Sequence, residues 1–269
     1  MAHLTHHVEQ HRSSIRGIEA MTLVSNHHFP RHSHDQFAIG VIALGAQRSW
    51  SGVGQVEASA GDVIMANPGE IHDGLPIDRK VRGWRMIYFE PALVTREVEE
   101  EIVGGIEVVR PVARDPLLAH NFAHLFASLI APEPDTLALE ESLIRSLVCV
   151  LRRHGARRPS YNNGPSASIA KIIQRLDSAP NAPISLAELA SLAGASRFQL
   201  LRGFVREMGI TPHAYLIQRR VCVARQLLAA GETPAQAAIT AGFADQSHLT
   251  RAFVRYLGIT PARYRAAVA

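Results

Sequence analysis

Hydrophobic positions change their period along this chain. From about Ile15 to Glu90, short β-branched and aromatic runs are punctuated by Gly, Pro and Asn. The runs Ile18–Ser25, Gln36–Leu44, Gln47–Ser51, Val63–Ala66 and Gly83–Phe89 have the length and residue types of strands. Together they predict an antiparallel sandwich or barrel. From Asp115 to His154 the pattern turns helical. Leu118, Phe122, Leu125 and Leu129 recur at three- and four-residue steps, and Leu143, Leu147 and Leu151 repeat the pattern beyond a break at Pro132 and Pro134. The segment RRPSYNNGPSA (Arg157 to Ala167) has little to bury and reads as a linker. Helical patterns fill the rest. The expected division is an all-β region with an N-terminal arm at 1–110, a helical segment at 111–156, a linker at 157–167 and an all-α region at 168–269. The helical segment is expected to cap the sheet region, to carry a dimer interface, or both.

Charge sharpens that division. The 269 residues carry a net +4, but up to Pro165 there are 16 Lys/Arg against 19 Asp/Glu, a net of −3. From Ser166 onward there are 12 against 5, a net of +7. A basic C-terminal third behind a mildly acidic front is the electrostatic signature of a polyanion-binding module joined to something else. No apolar run approaches the roughly 18 residues needed to cross a bilayer, and the start MAHLTHHVEQHRSS lacks the apolar core of a secretory signal. A cytoplasmic protein without membrane contact is expected. Cys149 and Cys222 sit inside apolar helical patterns and read as inert core thiols.

An internal duplication marks the basic region. Ala190 and Gly194 recur as Ala238 and Gly242, 48 residues later. After one inserted residue, Arg202, Phe204, Arg206, Gly209, Thr211, Pro212 and Tyr215 recur as Arg251, Phe253, Arg255, Gly258, Thr260, Pro261 and Tyr264. Each copy has the spacing of a helix-turn-helix. A small Ala lets two helices approach, and a Gly four residues on supplies the left-handed turn. Leu200 with Phe204, and Leu249 with Phe253, form an inner face at i,i+4. The outer face carries Arg197, Arg202 and Arg206 in the first copy, and Gln246, Ser247, Thr250 and Arg251 in the second. These side chains suit base edges and phosphates. A helical solenoid is the competing reading, but two copies are fewer than the roughly three such an array needs. The pattern Tyr215, Arg219, Arg220, Val223, Leu227, Leu228 predicts a long helix between the copies. It would set the two outer faces roughly 34 Å apart, one turn of DNA.

The stretch Ile184 to Arg265, and above all GFADQSHLTRAFVRYLGITPARYR, resembles the AraC/XylS family of transcription regulators. The resemblance implies two helix-turn-helix units joined by a long helix, with Phe198, Leu201 and Arg202 facing bases in the first unit. In the second it implies Gln246, Ser247, Thr250 and Arg251, with Arg255 beside them. Phe198 and Leu201 cannot donate hydrogen bonds, so the first unit is expected to read thymine methyls and DNA shape.

Arg31 to His72 is similar to the cupin barrel that precedes such domains. In metal-binding cupins an H-x-H pair, a Glu and a later His converge on one ion. Here His32-Ser33-His34, which reads as the opening of a strand with both histidines on one face, and His72 are present, and Phe37 or an apolar neighbour stands where the Glu is expected. Two readings stay open. The three histidines hold Zn²⁺ or another divalent ion, or they line an organic-ligand pocket with no cofactor, helped by Arg48, Trp50, Trp84 and Tyr88. The second is preferred because the carboxylate is missing. His3, His6, His7 and His11 are expected in a mobile solvated arm, and His120 and His124 on a solvated helix face.

The expectation is therefore a cupin-like effector-binding barrel with a helical extension, followed by a tandem helix-turn-helix domain. It would be a non-enzymatic, homodimeric regulator binding double-stranded DNA and a small-molecule effector, with RNA polymerase as partner if it activates. The alternative from another class is a metal-dependent cupin enzyme in the front domain.

Overall fold

The computed structural model describes residues 5–98, 106–157 and 165–268. The chain divides into two compact units, with the division in the sequence between residues 159 and 160. Most of the expected linker lies outside the described residues. Among the described residues, no helix is long and apolar enough to cross a membrane.

In the first unit, strands β1 (His6–His11), β2 (Ile18–Ser25), β3 (Phe29–His32), β4 (Phe37–Leu44), β5 (Ala46–Ser51), β6 (Gly54–Ser59), β7 (Val63–Ala66), β8 (His72–Pro76) and β9 (Arg82–Phe89) come first. Helix α1 (Pro91–Val98) follows, then the short strands β10 (Ile106–Val108) and β11 (Val112–Ala113). Helices α2 (Pro116–Leu129) and α3 (Thr136–His154) lead to β12 (Gly155–Arg157). One sheet has the order β1-β2-β9-β4-β7-β11, the other β3-β8-β5-β6, and β10 pairs with β12.

The register of the larger sheet assigns its faces. Ile18, Ala20, Ile39, Val63, Met65, Ile87 and Phe89 share one face. They form a continuous buried core with Leu93, Val94 and Val98 of α1 and the apolar stripes of α2 and α3. Successive strand residues point to opposite sides. The other face of β9 therefore carries Arg82, Trp84, Met86 and Tyr88, opposite Ser25, Leu23, Met21 and Glu19 of β2. That second face looks into the space between the two sheets.

Two expectations change here. His6, His7 and His11 do not belong to a solvated arm. They lie in β1, which pairs antiparallel with β2 from His6↔Ser25 to His11↔Ala20. Alternation around the buried Val8 accounts for the strand, and the His11 ring meets Phe126 of α2 edge-on at 5.5 Å. His3 lies outside the described residues. The motif His32-Ser33-His34 does not open a strand: His32 is the last residue of β3, and Ser33 and His34 follow it outside the strand. His120 and His124 do lie on the exposed side of α2.

Helices α2 and α3 are tied together by Asp115. Its Oδ1 accepts from the Leu118 amide at 3.1 Å and so caps α2. Its Oδ2 accepts from Arg153 Nε at 2.6 Å and from His154 Nε2 at 2.8 Å, at the end of α3.

The second unit is helical. It comprises α4 (Ala167–Ser178), α5 (Leu186–Ala193), α6 (Arg197–Met208), α7 (Pro212–Ala229), α8 (Pro234–Thr240), α9 (Gln246–Leu257) and α10 (Pro261–Val268). Ile172, Leu176, Phe204, Ala224, Leu228, Leu249 and Phe253 are among its most deeply buried side chains.

Burial by itself would raise the Asp115 pKa. The hydrogen bonds from Arg153, His154 and Leu118, with the Arg153 charge, outweigh it and hold the carboxyl well below the usual carboxylate range. Asp115→Asn keeps a capping side chain but loses the charge, and should cost about 2 kcal/mol at pH 7. A depressed folded pKa contributes stability above the ordinary carboxylate pKa of about 4 and loses it as pH falls below that value. Urea unfolding should therefore show the variant's deficit shrinking between pH 5 and about pH 3. An equal deficit at both would contradict this role for the charge.

Candidate functional site

The internal duplication folds as two helix-turn-helix units, α5–α6 and α8–α9. Each first helix ends on the expected turn, with Gly194 at φ +62° and Gly242 at φ +86°. Ala190 and Ala238 are buried where the paired helices meet. Ser196 and Gln199 make a reciprocal capping box at the start of α6. Asp245 caps α9 by accepting from the His248 amide at 2.7 Å. Leu200, Phe204, Leu249 and Phe253 are buried as inner faces.

The outer faces differ in chemistry. On α6, Arg197, Arg202 and Arg206 are exposed. Between them stand Phe198, Leu201 and Val205, with 66%, 37% and 40% of their surfaces exposed. Large apolar side chains held in water on successive helical turns mark a contact surface. The Arg202 guanidinium lies 5.5 Å from the Phe198 ring, and Arg206 pairs with Glu207 at 3.1 Å. On α9, Gln246, Ser247, Arg251 and Arg255 are exposed. The partly buried Thr250 donates its hydroxyl to the Gln246 carbonyl at 2.8 Å. Helix α7, 18 residues long, joins the units, and at 1.5 Å per residue it spans about 27 Å. Arg220 of α7 donates to the Pro180 carbonyl at 2.7 Å.

In the first unit, the structure gathers His32, His34, His72 and Tyr88 in the space between the sheets. The His72 ring lies 4.5 Å from His32 and 4.9 Å from His34, and His34 lies 5.2 Å from Tyr88. Each imidazole has Nδ1 on a backbone carbonyl. The partners are Pro30 at 2.8 Å, Gln36 at 2.9 Å and Glu70 at 2.9 Å. A carbonyl can only accept, so Nδ1 carries the proton and, in a neutral ring, Nε2 is the acceptor. Burial pushes His32 down to about 3, helped by His72 and opposed by the Pro30 hydrogen bond. It also lowers His72, against the raising influence of Glu70 and Asp73. Among the described residues, no group of three His, Cys, Asp or Glu is arranged to hold a metal ion.

Trp84 shares the inward face of β9 with Tyr88. Arg48 and Trp50 do not join them. Gln47 of β5 points inward, so Arg48 and Trp50 fall on the opposite, outer face. There Arg48 pairs with Glu57 at 2.9 Å, and Trp50 carries the Arg31 guanidinium 4.1 Å above its ring. Arg82 was not anticipated. It is fully buried, and it donates to Gln47 Oε1 at 3.2 Å and to the His27 and Gly74 carbonyls at 3.1 Å each. The guanidinium thus bridges the two sheets and stacks 4.7 Å from Trp84. Burial lowers it to about 10, which leaves it charged at neutral pH. Its place two residues before Trp84, on one strand face, was the available signal.

A two-sheet sandwich with a lined interior, followed by paired helix-turn-helix units, is the architecture of a ligand-binding transcriptional regulator. Residues 14–148 match the AraC-like ligand binding domain, and residues 189–267 match a helix-turn-helix domain. The chain is 30% identical over 225 residues to the uncharacterized HTH-type transcriptional regulator YbfI of Bacillus subtilis (strain 168), covering 82% of this chain and 81% of that protein. It is 31% identical over 147 residues to the probable transcriptional regulator LumQ of Photobacterium leiognathi, covering 54% and 59%. ToxT from Vibrio cholerae O395 shares the fold, with a TM-score of 0.55 and 12% identity over 99% of this chain and 98% of that one. The chain belongs to the AraC family of DNA-binding transcriptional regulators, with a ligand-binding domain at its N-terminal end.

Two substitutions test the geometry of the reader. A Cβ on Gly242 would stand 2.7 Å from the Asn181 Cα and 2.9 Å from its carbonyl oxygen, at a positive φ. Gly194 has the same handedness but open space around it. Gly242→Ala should therefore destabilise the second unit by more than about 1 kcal/mol and clearly more than Gly194→Ala. Equal losses in thermal unfolding would contradict the close approach. Arg251→Ala should weaken specific DNA binding by about 1–3 kcal/mol and relax preference at one base pair. An equal loss on all sequences, read by competition binding, would assign Arg251 to phosphate instead.

Proposed function

We propose that the two outer helix faces read successive major grooves of one operator, α6 through apolar contacts and α9 through polar ones. The observation that supports this is the contrast between exposed Phe198, Leu201 and Val205 on α6 and exposed Gln246, Ser247 and Arg251 on α9. Thymine C5-methyls are the apolar feature of the major groove, whereas Gln and Arg suit the hydrogen-bonding edges of adenine and guanine. Selection of random DNA by the full chain should enrich paired half-sites about 10 bp apart, one T-rich and one carrying a polar motif. A single enriched half-site would contradict the two-groove reading.

The space lined by His32, His34, His72, Trp84 and Tyr88 takes the effector in this proposal. A ToxT crystal structure holds an unsaturated fatty acid, so this fold accommodates an organic molecule. Here the wall combines imidazoles, with burial favouring the neutral form of His32 and His72, and aromatic rings, which suits a small organic ligand bearing hydrogen-bond donors. A divalent ion on the three histidines is the competing reading: their shared Nδ1 bonding to carbonyls is a common tautomer lock for ligating imidazoles, but the rings as they stand are not arranged as a metal site. A thermal-shift screen of metabolites and Zn²⁺ on the full chain separates the two. Stabilisation by an organic compound that is lost in His72→Ala supports the first, and stoichiometric Zn²⁺ binding lost in the same variant supports the second. If neither lifts the transition, the pocket has no sensing role.

The chain works as a homodimer in this account. Leu143 and Leu147 of α3 are consumed by the core, so they are not the contact. Leu137, 71% exposed, with the partly exposed Ile144 and Val148, forms a second stripe with coiled-coil spacing. Light scattering should give a dimer at micromolar concentration and a monomer for Ile144→Glu. A wild-type monomer would refute it.

A further inference from the structure

The turn Asn67-Pro68-Gly69-Glu70 touches both the histidine cluster and the strand pair at which the first unit ends. Its geometry is stiff. Pro68 fixes its own φ, Gly69 sits at φ +77°, and the Glu70 amide donates to the Asn67 carbonyl at 3.1 Å, the pattern of a type II turn. On one side, the Glu70 carbonyl accepts from His72 Nδ1 at 2.9 Å, and the Gly69 amide donates to the His34 carbonyl at 2.7 Å. On the other, the Asn67 side chain pairs with Val108 of β10 as a neighbouring strand would. Its Nδ2 donates to the Val108 carbonyl at 2.8 Å, and its Oδ1 accepts from the Val108 amide at 2.8 Å. The second Nδ2 hydrogen and the Asn67 backbone amide go to Glu70 Oε2, at 2.9 and 3.0 Å.

Beyond Val108 the connections continue to the end of the unit. Val108 pairs with Gly155 of β12, and the Val109 amide donates to the His154 carbonyl at 3.0 Å. A Cβ on Gly155 would stand 2.6 Å from the Leu151 carbonyl oxygen, so the exit from α3 into β12 is too close to its own helix to take a side chain there. His154 is in turn held by Asp115. Both hydrogens of the Asn67 amide group and its oxygen are thus engaged, and they join two parts of the chain that are 41 residues apart. A side chain used only to shape its own turn would not need the Val108 pair.

We infer that Asn67 is the positioning residue that couples the histidine pocket to β10 and β12, and so to the chain leaving the sensing unit. This inference rests on the sensing role proposed for the pocket. A ligand group bound at His72 Nε2 polarises the ring and strengthens the Nδ1–H bond to Glu70. The stiff turn carries that change to Asn67, and Asn67 carries it to Val108. Coupling of this kind requires a measured interaction between the two ends, not proximity alone.

Hydrogen–deuterium exchange on the full chain supplies that measurement without effector or DNA. Wild type, His72→Ala, Asn67→Ala and the double variant are compared at residues 106–109 and 155–157. His72→Ala should speed exchange there by about fivefold in the wild-type background and by less than about twofold in the Asn67→Ala background. An unchanged rate in His72→Ala would overturn the inference, and so would independent, multiplying effects of the two substitutions. If Asn67→Ala does not fold, Asn67→Asp keeps the acceptor for the Val108 amide while removing both Nδ2 donations, and the same comparison applies. Failure of the sensing role shows separately, as a pocket that takes no ligand while the exchange coupling persists.

Discussion

The first unit depends on the two-residue period of β9. This strand lies between β2 and β4, and its alternate residues must satisfy two different surroundings. Ile87 and Phe89 are buried against the helices, while Arg82, Trp84, Met86 and Tyr88 face the second sheet. A shift of one residue would move Arg82 into the hydrocarbon core and Phe89 into the polar interior. The buried guanidinium reinforces the register, because its acceptors on Gln47 and Gly74 belong to the opposite sheet. Burying a charge is costly unless its hydrogen bonds are made. Here they are made only when both sheets are in place, which links the packing of the sandwich to the position of the pocket wall.

The second unit solves a different problem, that of presenting two helices at a fixed separation. Left-handed glycines turn each pair, and buried aromatic and aliphatic residues fix the inner face of each reading helix. The single helix α7 between the units is continuous and largely buried along one side. The repeat therefore conserves its scaffold while its two outer faces diverge, from Phe198 and Leu201 in one copy to Gln246 and Ser247 in the other. In the proposed reading, sequence discrimination belongs to those faces and effector response to the sandwich, so a change in one does not require a change in the other.

Much of this was legible in the chain because the relevant signals are local. The helix-turn-helix spacing, the turn glycines and the period change at Asp115 all depend on residues within a few positions of one another. Expected strands also fall within about a residue of β2, β4, β5, β7 and β9. What was missed belongs largely to the smaller sheet and the edges. β6 (GQVEAS) and β8 (HDGLP) carry few apolar residues, because one face of that sheet is in water. β1 was hidden by its histidines, of which His6 and His11 pack and hydrogen-bond although they read as solvated. That His32, His34, His72, Trp84 and Tyr88 face one space was legible, and the outward facing of Arg48 and Trp50 was not, since it depends on a strand parity fixed by Gln47. Arg82 and Asn67 were not foreseen because their partners lie 35 and 41 residues away.

The central claim is that one chain reads two adjacent major grooves at a spacing set by α7. It is tested most directly by measuring affinity for a selected operator and for the same operator with 5 bp inserted between its half-sites. Half a helical turn places the second half-site on the opposite side of the duplex. The account predicts that affinity falls to that of an isolated half-site, about a hundredfold or more weaker. Affinity that survives the insertion would contradict it, since the two helices would then be binding independently of the scaffold that joins them.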